Sequence, residues 1–143
     1  MNIALGIVVL VLSLICWIGQ VISVIAPKLA VKLGLTENES NVDRVFFIEE
    51  KCEAIVDSLL TWIMIPASIL LITDNPDWIY FGLIGGGIYI YFGIRITLIR
   101  IMLSKGGVKI GTPSNVKAAY VFGPLWALSG LTFIILSITS FGA

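Results

Sequence analysis

Residues 43–65 read DRVFFIEEKCEAIVDSLLTWIMI, and this stretch decides how the rest of the chain is interpreted. It begins as a charged segment and continues into an apolar one without a break. Glu49, Glu53 and Asp57 recur at i, i+4 and i+8, so a helix places them on one side, with Glu50 beside them. A carboxylate at the edge of a membrane needs a cation, water or a proton, and Asp57 lies furthest into the apolar part.

Composition indicates a membrane protein. The chain has 143 residues, of which 58% are hydrophobic and 13% are charged, and its mean hydropathy is +1.04. A soluble domain of this size cannot bury so much apolar surface. Residues 1–26 and 118–143 carry no charged side chain, and each run exceeds the roughly 20 residues that cross a bilayer.

The pattern of apolar runs and turn residues predicts four transmembrane helices, at 2–26, 42–73, 78–103 and 115–141, with a short surface helix within 28–34. Ser40 is expected to cap the second helix, and Ser114 or Asn115 the fourth. Pro66 is expected to kink the second helix and to free a backbone carbonyl that a neighbouring group must satisfy. We therefore predict an all-α, up-down four-helix membrane bundle that forms one domain over residues 1–143.

The basic residues predict the orientation. All nine fall on one side of this arrangement: Lys28, Lys32, Arg44, Lys51, Arg95, Arg100, Lys105, Lys109 and Lys117. Short loops rich in Lys and Arg stay in the cytoplasm, so both long connections are expected there, with both termini outside the cell membrane. The net charge is zero, which argues against a nucleic-acid partner.

The second and third helices are expected to form a hairpin about the turn at Asn75. Asp57 precedes Asp74 by 17 residues and Arg95 follows Trp78 by 17, which places both about 26 Å from the turn. We predict an Asp57–Arg95 ion pair. We also predict a looser group in which Glu50 and Glu53 face Arg100. These charges either fix helix register only, or form a cytoplasm-facing site for a cation, a proton or an anionic headgroup.

Two helix faces carry small or polar residues. Ser13, Cys16 and Gln20 share one face of the first helix, which favours helix packing and alternatively lines a ligand pocket. The third helix carries a strip of close-packing glycines at Gly82, Gly86 and Gly93. Cys16 and Cys52 are expected at different depths, so no disulfide is predicted.

The sequence contains no histidine, which excludes haem held by histidine, the usual catalytic zinc sites, and Ser-His-Asp or Cys-His catalysis. We predict no cofactor and no metal. The leading functional hypothesis is a non-catalytic membrane protein that associates with itself or with a membrane-protein partner. The alternative is a small ion- or solute-transporting oligomer that uses Glu53, Asp57 and Arg95, and a membrane enzyme comes third.

Several short strings carry a resemblance: WIGQ at 17–20, APKLA at 26–30, LGLTE at 33–37, EA at 53–54 and YFGLIGGG at 80–87. Together they resemble small bacterial four-helix membrane proteins without an assigned function, which implies a fold and no activity. The architecture is also similar to the membrane-associated eicosanoid and glutathione metabolism family. An Asn-x-x-Glu pattern marks the entry to the second helix of that family, whereas this chain has EEKCE at 49–53 and lacks the asparagine.

Overall fold

The computed structural model describes residues 2–141. Its α-helices are α1 (Asn2–Ile25), α2 (Pro27–Lys32), α3 (Arg44–Leu60), α4 (Met64–Ile72), α5 (Trp78–Lys105) and α6 (Pro113–Ser140). Since α3 and α4 are halves of one segment, four segments are long and apolar enough to cross a membrane. The predicted all-α four-helix fold is confirmed. The ends of the predicted 1–143 domain, Met1 and residues 142–143, lie outside the described residues.

Two helix starts differ from the prediction. The N-cap of α6 is Thr112, because Pro113 takes the first helical position, where its missing N–H costs nothing. The N-cap of α3 is Asp43, because residues Glu39–Asn41 form a separate 3-10 turn. Ser40 and the pair at 114–115 therefore cap neither helix.

The second membrane segment is interrupted, and the prediction of one kinked helix over 42–73 is wrong at this point. Thr61–Ile63 forms a 3-10 turn just before Pro66, which lacks an N–H and crowds the preceding turn. Two neighbouring helices satisfy carbonyls at the break. The Tyr89 hydroxyl donates to the Thr61 carbonyl at 3.2 Å, and the Trp17 indole donates to the Ser58 carbonyl at 3.0 Å. Neither acceptor is the Trp62 carbonyl, which is the one that Pro66 leaves without its usual donor, so the predicted compensation of that carbonyl stays a prediction.

The helices pack around a core that is centred on aromatic side chains. α1 packs against α3 and α4, α4 packs against α5, and α5 packs along α6. Tyr89, Phe92 and Phe133 are buried at the centre of this arrangement. Large apolar side chains are exposed on the outer surface, as Ile84 and Leu128 show, and a lipid environment would cover them.

Glycines bring the backbones of α5 and α6 together. A Cβ built at Gly86 would lie 2.7 Å from the Gly130 carbonyl oxygen, and one at Gly130 would lie 2.5 Å from that of Gly86. Gly93 meets Gly123 in the same way, and a Cβ at Gly82 would lie 2.8 Å from the Ser137 hydroxyl. The three predicted strip glycines therefore face α6 of the same chain.

A clamp joins the two long connections at the end of the bundle that carries the basic residues. Val42 and Ile110 form an antiparallel bridge, and the Lys109 N–H donates to Asp43 Oδ2 at 2.7 Å. Glu37 Oε1 accepts from both the N–H and the hydroxyl of Thr112, at 2.6 and 2.8 Å. These contacts close the end of the bundle over the charged residues described below.

The glycine contact predicts that alanine substitutions at two neighbouring positions change the free energy of unfolding differently. Gly86→Ala is expected to destabilise the protein by about 1–3 kcal/mol, because the new methyl group meets backbone that cannot move aside. Gly87→Ala is the matched control, because a Cβ at Gly87 has no heavy atom within 4 Å. It is expected to be neutral or stabilising by up to about 1 kcal/mol through helix propensity. Thermal unfolding in mild detergent measures both, and equal effects would contradict the assigned interface.

Candidate functional site

The five charged residues singled out in the sequence gather at the basic end of the bundle. Glu53 lies between both arginines, with Oε1 at 3.1 Å from Arg95 Nη1 and Oε2 at 4.0 Å from Arg100 Nη1. Glu50 Oε1 lies 3.7 Å from Arg100 Nη2. The predicted group of Glu50, Glu53 and Arg100 is therefore formed.

The predicted Asp57–Arg95 pair is wrong, because Arg95 pairs with Glu49 and Glu53 instead. The prediction assumed a uniform rise of 1.5 Å per residue along one helix. It matched backbone heights only and took no account of the length and direction of the side chains. The long Arg95 side chain also reaches towards the polar end of the bundle, which favours the earlier turns of α3 over Asp57.

The second arginine is held in place from several directions. Arg100 is 7% exposed, its Nη1 donates to the Ile96 carbonyl at 3.0 Å, and its guanidinium carbon lies 5.2 Å from the centre of the Phe46 ring. These contacts leave it facing Glu50 and Glu53. Neither guanidinium group is therefore within ion-pair distance of Asp57.

Asp57 is buried without a partner. It is 8% exposed, and its Oδ2 has no hydrogen-bond partner among residues 2–141. Glu49 Oε2 and Glu53 Oε1 also accept no hydrogen bond within that range, but Glu49 and Glu53, unlike Asp57, form ion pairs with Arg95. Four carboxylates from α3 thus meet two guanidinium groups from α5, and Asp57 is the carboxylate without an ion pair.

An inner chamber adjoins this cluster. It encloses about 190 Å³ between α1 and α6, and Cys16, Gln20, Glu50, Arg100 and Trp126 are on its wall. The Trp126 indole donates to the Leu12 carbonyl at 3.2 Å, where α1 approaches α6. Arg100 and Glu50 contribute charged side chains to this wall.

The predicted polar face of α1 divides between two roles. Ser13 is fully buried and donates to the Val9 carbonyl at 2.7 Å, so it belongs to the packed core. Cys16 and Gln20 lie on the chamber wall, which agrees with the alternative reading of this face as a pocket lining. Both cysteines are free thiols: Cys16 is buried and Cys52 is exposed.

Two charged residues were missing from the predicted site. Glu49 pairs with Arg95; its spacing places it on the acidic side of the helix, but it was not assigned to a predicted ion pair. Glu37 is 5% exposed and accepts from Thr112, which is 75 residues away. No local pattern reveals such a contact, because it depends on how the two long connections meet.

No protein-family model matches this chain, and neither the curated proteins nor the solved structures contain a match to it. The two resemblances drawn from short strings and architecture therefore stay predictions. Across residues 2–141, the structure contains no group of three or more Cys, Asp or Glu residues arranged to hold a metal ion.

The observed pairing predicts which charges are coupled. In a double-mutant cycle, Arg95→Leu and Glu49→Leu are expected to show a coupling energy of about 0.5–3 kcal/mol, because each removes the other's ion-pair partner. Arg95→Leu and Asp57→Leu are expected to couple distinctly less, since these two residues form no ion pair. Unfolding of the purified variants in detergent measures both cycles. A larger coupling for the Asp57 cycle would contradict the pairing.

Proposed function

We propose that this chain is a non-catalytic multi-pass membrane protein that binds a monovalent cation at Asp57. Its four long apolar segments are compatible with a multi-pass membrane protein. The proposal of a bound cation rests on the Asp57 carboxylate, because Asp57 is more than nine-tenths buried and its Oδ2 has no hydrogen-bond partner among residues 2–141. A cation bound there would supply the missing charge.

Charge balance supports this proposal. A buried carboxylate without a compensating charge or hydrogen bonds is costly, and the cost rises when other carboxylates stand close by. Glu53 lies one turn before Asp57 on α3, while both arginines are engaged by Glu49, Glu50 and Glu53. When all four carboxylates are ionised, the cluster therefore carries more negative than positive charge after every ion pair has been formed.

The end of α3 adds to the attraction for a cation. Asp57 lies in the last turn of α3, which ends at Leu60 where the membrane segment is interrupted. The carbonyl end of a helix carries a partial negative charge. The Ser58 and Thr61 carbonyls at this break already accept hydrogen bonds from Trp17 and Tyr89, so the carboxylate of Asp57 is the oxygen group left for a cation. The Asp57 carboxylate adds a full negative charge to this helix end.

A monovalent ion fits these residues better than a divalent one. Calcium binds six to eight oxygens, several of them from carboxylates arranged around one point. The described residues contain no group of three carboxylates in such an arrangement. One carboxylate without an ion pair supplies a single negative charge, which a monovalent cation balances and a divalent cation exceeds, and the ion-transport hypothesis requires such a charge.

The packing gives less support to the interaction hypothesis. Gly82, Gly86 and Gly93 were the predicted association face, yet they lie against α6 within the chain. Two buried hydroxyl groups near the break are also engaged locally, since Thr61 donates to the Asp57 carbonyl at 2.7 Å and Ser68 to the Met64 carbonyl at 2.9 Å, whereas Ser137 Oγ has no hydrogen-bond partner among residues 2–141. Hydroxyls held in this way support a non-catalytic role.

Cation-dependent stability tests the proposal. Sodium or potassium chloride is expected to raise the melting temperature of the detergent-purified protein above that in choline chloride of equal ionic strength. The reason is that a ligand that binds the folded state stabilises it. Asp57→Asn is expected to abolish the difference between the salts. Asp77→Asn is the matched control, because Asp77 is exposed at the opposite end of the bundle.

Three outcomes would contradict cation binding at Asp57. The first is equal stabilisation by all three salts, which would indicate general ionic screening. The second is a sodium or potassium effect that persists in Asp57→Asn. The third is a melting temperature that changes with pH and not with the cation, which would indicate a proton at this carboxylate.

We also propose that the basic end of the bundle faces the cytoplasm. The nine Lys and Arg residues support this orientation through the rule that short basic loops are retained inside. Cys52 is exposed at this end and is a native probe. A membrane-impermeant maleimide is expected to label it only after cells are permeabilised, whereas Asn75→Cys, made in a Cys52→Ser background, is labelled in intact cells. The opposite pattern would reverse the orientation.

A further inference from the structure

A second pocket lies between the end of α1, α2 and α3, at the basic end of the bundle. It encloses about 620 Å³, which is within the usual range for small-molecule sites. Its wall contains the basic residues Lys28 and Lys51, the acidic residue Glu39, and the apolar residues Val24 and Ile55. The pocket therefore combines charges of both signs with apolar surface.

The two lysines provide a site for an anionic group. Lys51 Nζ lies 4.2 Å from the centre of the Phe47 ring, and Phe47 is also on the pocket wall. This contact holds the ammonium group of Lys51 at the pocket while the exposed residue remains accessible. Lys28 follows Pro27 in the first turn of α2. Two ammonium groups around one pocket are suited to a phosphate.

The acidic side of the pocket is suited to a positive group. Glu37 and Glu50 also line it, but Glu37 accepts from Thr112 and Glu50 faces Arg100. Glu39 is exposed and forms no ion pair within the described part of the chain. Its carboxylate is therefore available to a ligand that brings its own cation.

The apolar side of the pocket opens towards the outer surface of the bundle. Val24 on α1 and Ile55 on α3 are 39% and 51% exposed. Both residues belong to segments that are apolar enough to cross a membrane. A ligand whose polar part sits among the charges can extend an acyl chain along this surface.

We propose that this pocket binds a zwitterionic phospholipid that carries a primary ammonium group. Lys28 and Lys51 would hold its phosphate, Glu39 would accept hydrogen bonds from its ammonium group, and Val24 and Ile55 would contact the start of an acyl chain. This site uses different residues from the cation site at Asp57 and does not depend on it.

Native mass spectrometry in mild detergent tests the proposal with three lipids of identical acyl chains. Phosphatidylethanolamine is expected to be retained more than phosphatidylcholine, whose quaternary ammonium donates no hydrogen bond to Glu39. It is also expected to be retained more than phosphatidylglycerol, which lacks the positive group. The double variant Lys28→Gln/Lys51→Gln is expected to lower its retention roughly tenfold.

The matched control is Lys32→Gln/Lys105→Gln, which removes the same charge from two exposed lysines that are not on the pocket wall. It is expected to retain phosphatidylethanolamine as the native protein does. Glu39→Gln is expected to remove the preference for phosphatidylethanolamine over phosphatidylcholine. All variants are compared by thermal unfolding in detergent to confirm that they fold.

Three results would overturn the lipid site. One is equal retention of all three lipids by the native protein, and another is preferential retention of phosphatidylglycerol. The third is equal loss of phosphatidylethanolamine in the two lysine double variants, which would indicate a general charge effect. Failure of cation binding at Asp57 would leave the lipid site unaffected, because Lys28, Lys51 and Glu39 lie outside the cluster.

Discussion

Glu53 links the two arginines of α5 to α3, and the basic end of the bundle depends on this contact. It is 4% exposed and lies within ion-pair distance of both Arg95 and Arg100. Removing one member of a buried ion-pair network is costly because the remaining charges lose their compensation. The same contact keeps both guanidinium groups beside the earlier turns of α3, so Asp57 has no arginine as an ion-pair partner.

The rest of the fold gives this cluster a rigid support. Backbone contact at Gly86 and Gly130 leaves α5 little freedom to move relative to α6. The interruption at Thr61–Ile63 ends α3 close to Asp57, and Tyr89 and Trp17 supply hydrogen bonds to carbonyls at that break. Pro66 cannot continue the α-helical hydrogen bonding, so α3 ends close to the carboxylates, and neighbouring helices satisfy carbonyls at that end.

The sequence predicts the fold well because its signals are local. Long apolar runs, the turn around Asn75 and the glycine spacing each act over a few residues, and the four segments appear where these signals place them. The same local reasoning identified Glu50, Glu53 and Arg100 as neighbours, since a tight hairpin limits the depths at which α3 and α5 can meet.

The parts that the sequence did not predict depend on small offsets and distant contacts. The partners of Arg95 depend on the reach of its long side chain, which meets Glu49 and Glu53 and not Asp57. The contact of Glu37 with Thr112 arises only when the two long connections meet. The chamber and the lipid-sized pocket are spaces between elements, and no pattern in the chain encodes their volume directly.

Anomalous X-ray diffraction from crystals grown in rubidium chloride tests the central claim most directly. Rubidium replaces potassium and scatters anomalously, so a bound ion is located without reference to stability. The account predicts an anomalous peak in direct contact with Asp57 Oδ2, at the end of α3, and its loss in Asp57→Asn crystals. A native crystal with anomalous peaks elsewhere and none at Asp57 would contradict the account.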